Sequence, residues 1–287
     1  MSYEEYTEPD VRVREYYLKV SDGVSLKMVD FTPPEDGPRK PAIVFVAGWI
    51  SMISGWKGVL RAITPRYRTL YLETREKASS ILPEERGVSF AMDRLSADLE
   101  EVIAQAVPPK KDFFMAGSSL GATAIMEYLL TEGRKPLAAM LIAPNAEFRF
   151  PPVLGHIVPA LHPSMYLAVK PLIKWYLKNF RIDSKNEPEQ MKKYETTLDA
   201  ADPYKLKPNA IALRNYSIRD RLQGIGTPVM IVGALTDKLH GREVLEEMTR
   251  KMTRTTYREL ASNKETHSEK AGELMVNFIK NRDYMEL

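Results

Sequence analysis

The chain has 287 residues, 44% of them hydrophobic, with no cysteine and a net charge of +3 from 41 basic and 38 acidic side chains. This is enough apolar material for a full core in a single α/β domain, while the missing cysteines exclude a disulfide framework, a thiolate nucleophile and a cysteine-based metal site. The near-balanced charge gives no sign of a nucleic-acid partner. No apolar run reaches the ~18 residues of a membrane span, and the acidic start lacks an apolar leader, which fits a cytoplasmic protein.

Strand and helix signals alternate along the chain. Residues 13–20 and 25–31 read as two strands joined at Asp22-Gly23, a hairpin cue. A turn over Pro33-Pro34 leads to a buried strand at 42–46, a helix at 54–63 and a strand at 69–72. Leu95, Leu99, Val102, Ile103 and Ala106 share one helical face just before the apolar run Phe113-Phe114-Met115. Two more buried strands follow at 137–142 and 228–232, then a helix at 242–248, a strand at 256–260 and a last amphipathic helix near Leu274–Ile279. A hairpin followed by this alternation predicts a mostly parallel sheet covered by helices on both faces.

The alternation pauses from about 147 to 224, where helical patterns are broken by repeated prolines. The segment is too long for a simple loop and is expected to be an inserted helical cap over the carboxyl edge of the sheet, where ligands bind. Within it, residues 153–177 are strongly apolar, and Lys170, Lys174 and Lys178 recur every four residues as a basic stripe. Pro171 is expected in the first turn of that helix. The helix is expected to pack on the core domain with its lysines in solvent; the alternatives are that part of its apolar face lines an acyl pocket above Ser119, or that its basic face touches anionic lipid.

Gly117-Ser118-Ser119-Leu120-Gly121 is the most informative stretch. It contains G-x-S-x-G between a strand and a helix, the context of a nucleophile elbow. The turn there is too tight for side chains at Gly117 and Gly121, and it projects the Ser119 hydroxyl outward at a helix N-terminus. For Ser118 the glycine spacing is wrong on both sides.

With these residues in view the chain resembles the α/β-hydrolase superfamily, in its serine carboxylesterase and lipase-like branch with a helical cap. The resemblance rests on the opening hairpin, Phe45-Val46-Ala47-Gly48-Trp49, the elbow, and Thr227–Gly233 with the turn after it. It implies an α/β-hydrolase fold and a triad in the order Ser, Asp, His: Ser119, Asp237 after the strand ending near Gly233, and His267 after the last strand. His240 lies only three residues past Asp237, which reads as too close to be oriented by it, and His156 and His162 fall in the cap. Glu147 is the alternative acid. The implied oxyanion hole is the backbone N–H groups of Leu120 and Trp49, with Ala47 where relatives carry histidine.

A second departure is the charged run Glu73-Thr74-Arg75-Glu76-Lys77, where relatives often have a glycine-rich turn. It reads as a solvated loop, with Arg75 or Lys77 at the site mouth as the alternative. The expected activity is hydrolysis of a carboxylic ester or related acyl bond through an acyl-enzyme on Ser119. A thioesterase, acyltransferase or carbon–carbon bond hydrolase would use the same triad, and a non-catalytic binding protein on this fold is the remaining reading. No cofactor and no metal are implied, and the expected partner is a small acyl substrate.

Overall fold

A computed structural model describes residues 3–37, 40–84, 87–148, 159, 162–181, 188–237, 239–281 and 283–285. His156 and the apolar residues expected at 153–158 lie outside that set. The Asp22-Gly23 turn, with Gly23 at φ 88°, joins β1 (Arg12–Lys19) to β2 (Ser25–Thr32) as an antiparallel hairpin. The chain then builds β3 (Ala42–Val46), β4 (Thr69–Leu72), β5 (Phe113–Ser118), β6 (Ala139–Ile142), β7 (Val229–Ala234) and β8 (Thr255–Leu260). These eight strands pair in the order β1-β2-β4-β3-β5-β6-β7-β8, parallel from β4 onward.

Side-chain alternation splits the core in two. On β3, Ala42, Val44 and Val46 face a cluster that includes residues of α2 (Met92–Ala106), α3 (Leu120–Leu129) and α7 (Arg242–Lys251). Ile43 and Phe45 face the opposite cluster, with α1 (Lys57–Ile63) and α9 (Glu269–Lys280). Strands buried on both faces need continuous apolar runs, which is why β3 to β7 read as unbroken hydrophobic stretches. From β3 the chain steps outward to β4 and then returns past β3 to β5, so the order reverses between β3 and β5. The loops after those two strands therefore diverge and leave a crevice at the carboxyl edge.

Between β6 and β7 lie α4 (Tyr166–Tyr176), α5 (Pro188–Ala200) and α6 (Pro203–Leu213). Helix α6 starts on an Asp202 cap that accepts from the Tyr204 N–H, with Pro203 in its first turn. Pro171, expected in the first turn of α4, instead lies inside the helix, where the bond to the Leu167 carbonyl has no donor. The lysine stripe is not left to solvent: Lys170 and Lys174 each lie 2.8 Å from the Asp199 carboxylate on α5. Leu167, Leu172 and Trp175 on the same helix are exposed.

The charged run after β4 is not a solvated loop. Arg75, Glu76 and Lys77 are buried. Arg75 donates from Nε and Nη2 to Asp98 of α2, both at 2.6 Å, and from Nη1 to Asp22 of the hairpin turn at 2.6 Å. A buried guanidinium is tolerable because two carboxylates meet its fork. Lys77 is equally satisfied, by the carbonyls of Gly48 at 2.9 Å and Ser51 at 2.7 Å. Neither residue stands at the site mouth.

Candidate active site

Ser119 follows β5 and caps α3 with φ 47° and ψ −116°, a conformation disfavoured for a side-chain-bearing residue. The glycines permit it. A Cβ on Gly121 would stand 2.2 Å from the Val46 carbonyl oxygen, and one on Gly117 would stand 3.0 Å from the Ala122 nitrogen. Ser118 stays within β5, so it is Ser119 that projects from the turn. Two more residues with positive φ, Ile50 at 47° and Ala143 at 48°, line the same cavity as Ser119. Strain is thus concentrated on the loops after β3, β5 and β6.

That cavity has a volume of about 490 Å³. It is lined by Gly48, Trp49, Ser119 and Asn145, by Asp237, His240 and His267, and by Ile173, Leu177 and Leu198 from the insertion. The oxyanion candidates have defined places: Leu120 opens α3 behind Ser119, and Trp49 sits on the loop clamped by Lys77.

Ser119 Oγ lies 3.3 Å from His240 Nε2, and His240 Nδ1 lies 3.0 Å from Asp237 Oδ2. The reading of His240 as too close in sequence to be oriented by Asp237 is therefore corrected. The Asp237 carboxylate folds the loop around itself: Oδ1 accepts the N–H of Leu239 at 2.8 Å and of His240 at 3.0 Å, leaving Oδ2 for the ring. Burial opposes charge on Asp237, but the His240 ring and these backbone donors outweigh it and hold the carboxyl below its ordinary range. Asn145, just past β6, adds its Nδ2 at 3.2 Å from Ser119 Oγ and 3.3 Å from His240 Nε2. Sequence reasoning passed over Asn145; its one signal is its position after a strand at the carboxyl edge.

His267 is placed differently. It closes the short helix α8 (Asn263–Thr266), and its Nδ1 lies 3.0 Å from both the Asn263 carbonyl oxygen and Thr266 Oγ1. Its ring packs on Trp56 with centroids 4.2 Å apart. Loss of surrounding water, with the nearby Lys193 charge second, lowers its pKa to about 3. Ser119, Asp237 and His267 thus border one cavity, but the hydrogen-bonded chain runs through His240. Glu147 also borders the cavity and is paired with Arg219 at 3.4 Å. His162 is exposed on the insertion, where its Nδ1 accepts from the Ser164 N–H.

The model of the serine aminopeptidase S33 family matches residues 78–267, well over half of the sequence and the stretch that carries Ser119, Asn145, Asp237, His240 and His267. The chain belongs to that family. It is an α/β-hydrolase, and its family and fold support hydrolase activity. A search of curated protein sequences gives no match. Among solved structures, a thermophilic esterase from Thermogutta terrifontis superposes with a TM-score of 0.75 at 15% identity, covering 94% of this chain and 98% of that one. The enol-lactonase from Burkholderia xenovorans gives 0.72 at 17%, covering 95% and 100%. Bromoperoxidase from Bacillus anthracis gives 0.75 at 14%, covering 93% and 100%. At such identities the likeness extends to the fold. No helix among the described residues is long and apolar enough to cross a membrane.

Proposed function

We propose that the chain is a serine hydrolase that cleaves carboxylic esters through an acyl-enzyme on Ser119, with His240 as general base and Asp237 as the acid that orients it. The observation that carries this reading is the relay Ser119 Oγ, His240 Nε2, Asp237 Oδ2 at 3.3 and 3.0 Å. His240 Nε2 would take the hydroxyl proton as Oγ attacks the acyl carbon, and return it to the leaving alcohol. Water would then attack the acyl-enzyme by the same route, releasing the acid and restoring Ser119. Asp237 holds Nδ1 protonated, which leaves Nε2 free to accept.

The N–H groups of Trp49 and Leu120 would hold the oxyanion. A trans peptide directs its carbonyl and its N–H to opposite sides. With the Gly48 carbonyl drawn to Lys77, the Trp49 N–H points the other way. The insertion is read as a cap, residues 147–224, on one α/β-hydrolase domain. Its contribution of Ile173, Leu177 and Leu198 to the cavity supports an apolar acyl pocket. An aminopeptidase-like preference is less well supported. It calls for an anionic partner for a substrate ammonium, and the lining carboxylates Glu147 and Asp237 are already engaged by Arg219 and His240.

A second reading keeps His267 as base. It is favoured by the position of His267 after β8 and on the wall of the same cavity. It requires the ring to leave Asn263 and reach Asp237. Labelling with a fluorophosphonate, followed by Ser119→Ala, tests the nucleophile. Loss of the label supports the acyl-enzyme, and a label on Ser118 overturns it.

A further inference from the structure

The cavity wall carries a charge, that of Lys193, with no carboxylate partner among the described residues. The wall's carboxylates Glu147 and Asp237 face Arg219 and His240. Lys193 of α5 lines the same wall, half-buried. Its Nζ instead lies 5.2 Å from the centroid of the Trp56 ring, the ring that also packs on His267. Gly55 makes room for it, since a Cβ there would come 2.5 Å from Lys193 Cε and 3.0 Å from Nζ.

Lysine heads ordinarily extend into water. This one is folded against an aromatic face, and an aromatic face replaces only part of the lost hydration. Burial pulls the ammonium down to about 7. A negative group arriving beside it would supply the missing partner, and the charge-assisted bond so formed is among the stronger ones available to a ligand.

We propose that Lys193 anchors a carboxylate carried by the substrate, so that the site takes acyl compounds with a second, anionic end. The inference rests on the serine-hydrolase reading and names the substrate class of that site. Leu177 and Leu198, on the same wall, would border the aliphatic stretch between the acyl carbon and the carboxylate.

The test compares p-nitrophenyl half-esters of dicarboxylic acids with neutral esters of equal chain length. The wild type is expected to favour the half-esters in kcat/KM. The ratio of half-ester to neutral ester should fall about tenfold or more in Lys193→Gln, mainly through KM, and further in Lys193→Glu, while Lys193→Arg keeps most of it. Calorimetry of glutarate and adipate on Ser119→Ala gives a second measure that needs no turnover: binding is expected there and is expected to vanish when Lys193→Gln is added. Circular dichroism melts show that each variant is folded. A ratio that Lys193→Gln leaves unmoved, or dicarboxylate binding that is absent or indifferent to residue 193, overturns the proposal. If neither ester class is turned over and Ser119 takes no label, the hydrolase reading fails, and the calorimetry still decides whether Lys193 binds a carboxylate.

Discussion

His240 Nδ1 lies 3.0 Å from Asp237 Oδ2 although only three residues separate them in the chain. A loop that short can do this because the same carboxylate accepts the His240 and Leu239 N–H groups, turning the chain back on itself. Asp237 and His240 thus reach toward Ser119 from a single loop, the one after β7.

The proposal of His240 as base rests on that contact. His240→Asn is expected to lower kcat about a thousandfold or more, and Asp237→Asn to lower it strongly as well. His267→Asn is expected to cost much less, and Glu147→Gln little. Steady-state kinetics on an activated ester ranks the four. A larger loss at position 267 than at 240 moves the base to His267.

The buried environment of His267 gives a stability signature. Its folded pKa of about 3 lies below the unfolded value of about 6.5. Above about 6.5 neither state binds the proton. As pH falls below that, the unfolded chain takes it up first, so this contribution to stability is lost from about 6.5 down to about 3, at up to about 1.4 kcal/mol per pH unit. Denaturant titrations from pH 7 to 4 should show a shallower acid decline in His267→Gln than in the wild type. Equal slopes would contradict the burial. In kinetics, activity that persists to about pH 3 would mark His267 as the base.

Lys77 should matter to catalysis without touching substrate. Lys77→Met removes the Nζ that holds the Gly48 and Ser51 carbonyls; the Gly48 oxygen keeps the Ser51 N–H at 3.0 Å, so the cost of about 1–3 kcal/mol falls on the Ser51 carbonyl. With one of the two donors to the Gly48 carbonyl gone, the Trp49 N–H is held less firmly, and kcat is expected to fall about tenfold or more while KM changes little. Unchanged kcat in a folded Lys77→Met protein would mean that Lys77 does not position the Trp49 N–H.

Gly121→Ala is expected to destabilise the fold by more than about 3 kcal/mol, because its Cβ has no room beside the Val46 carbonyl. Urea denaturation measures it. A loss below about 1 kcal/mol would mean that the elbow relaxes.

The acyl pocket is checked with p-nitrophenyl esters of increasing chain length. Binding should improve by up to about 0.8 kcal/mol per methylene until the cavity of about 490 Å³ is filled. Rates indifferent to chain length would set the pocket aside.

The sequence by itself determined the sheet and the elbow. Apolar runs such as 42–46 and 113–115 have one low-energy fate in a chain of this kind, burial on both faces of a sheet, and they became β3 and β5. Asp22-Gly23 turned the hairpin, and the glycines around Ser119 marked a turn that only they can make. These signals are legible because backbone sterics and hydrophobic period act over a few residues.

Only the tertiary structure decided which charged and polar groups meet. Arg75 and Lys77 looked solvated because their partners, Asp22, Asp98 and the Gly48 and Ser51 carbonyls, lie on other elements. His240 was set aside on distance along the chain, yet the direction of the Asp237 loop governs the contact. Asn145 and Lys193 gave no motif at all. Charge pairing has no sequence period, and its sign and strength depend on distance, orientation and lost water, which exist only once the strands and helices have packed.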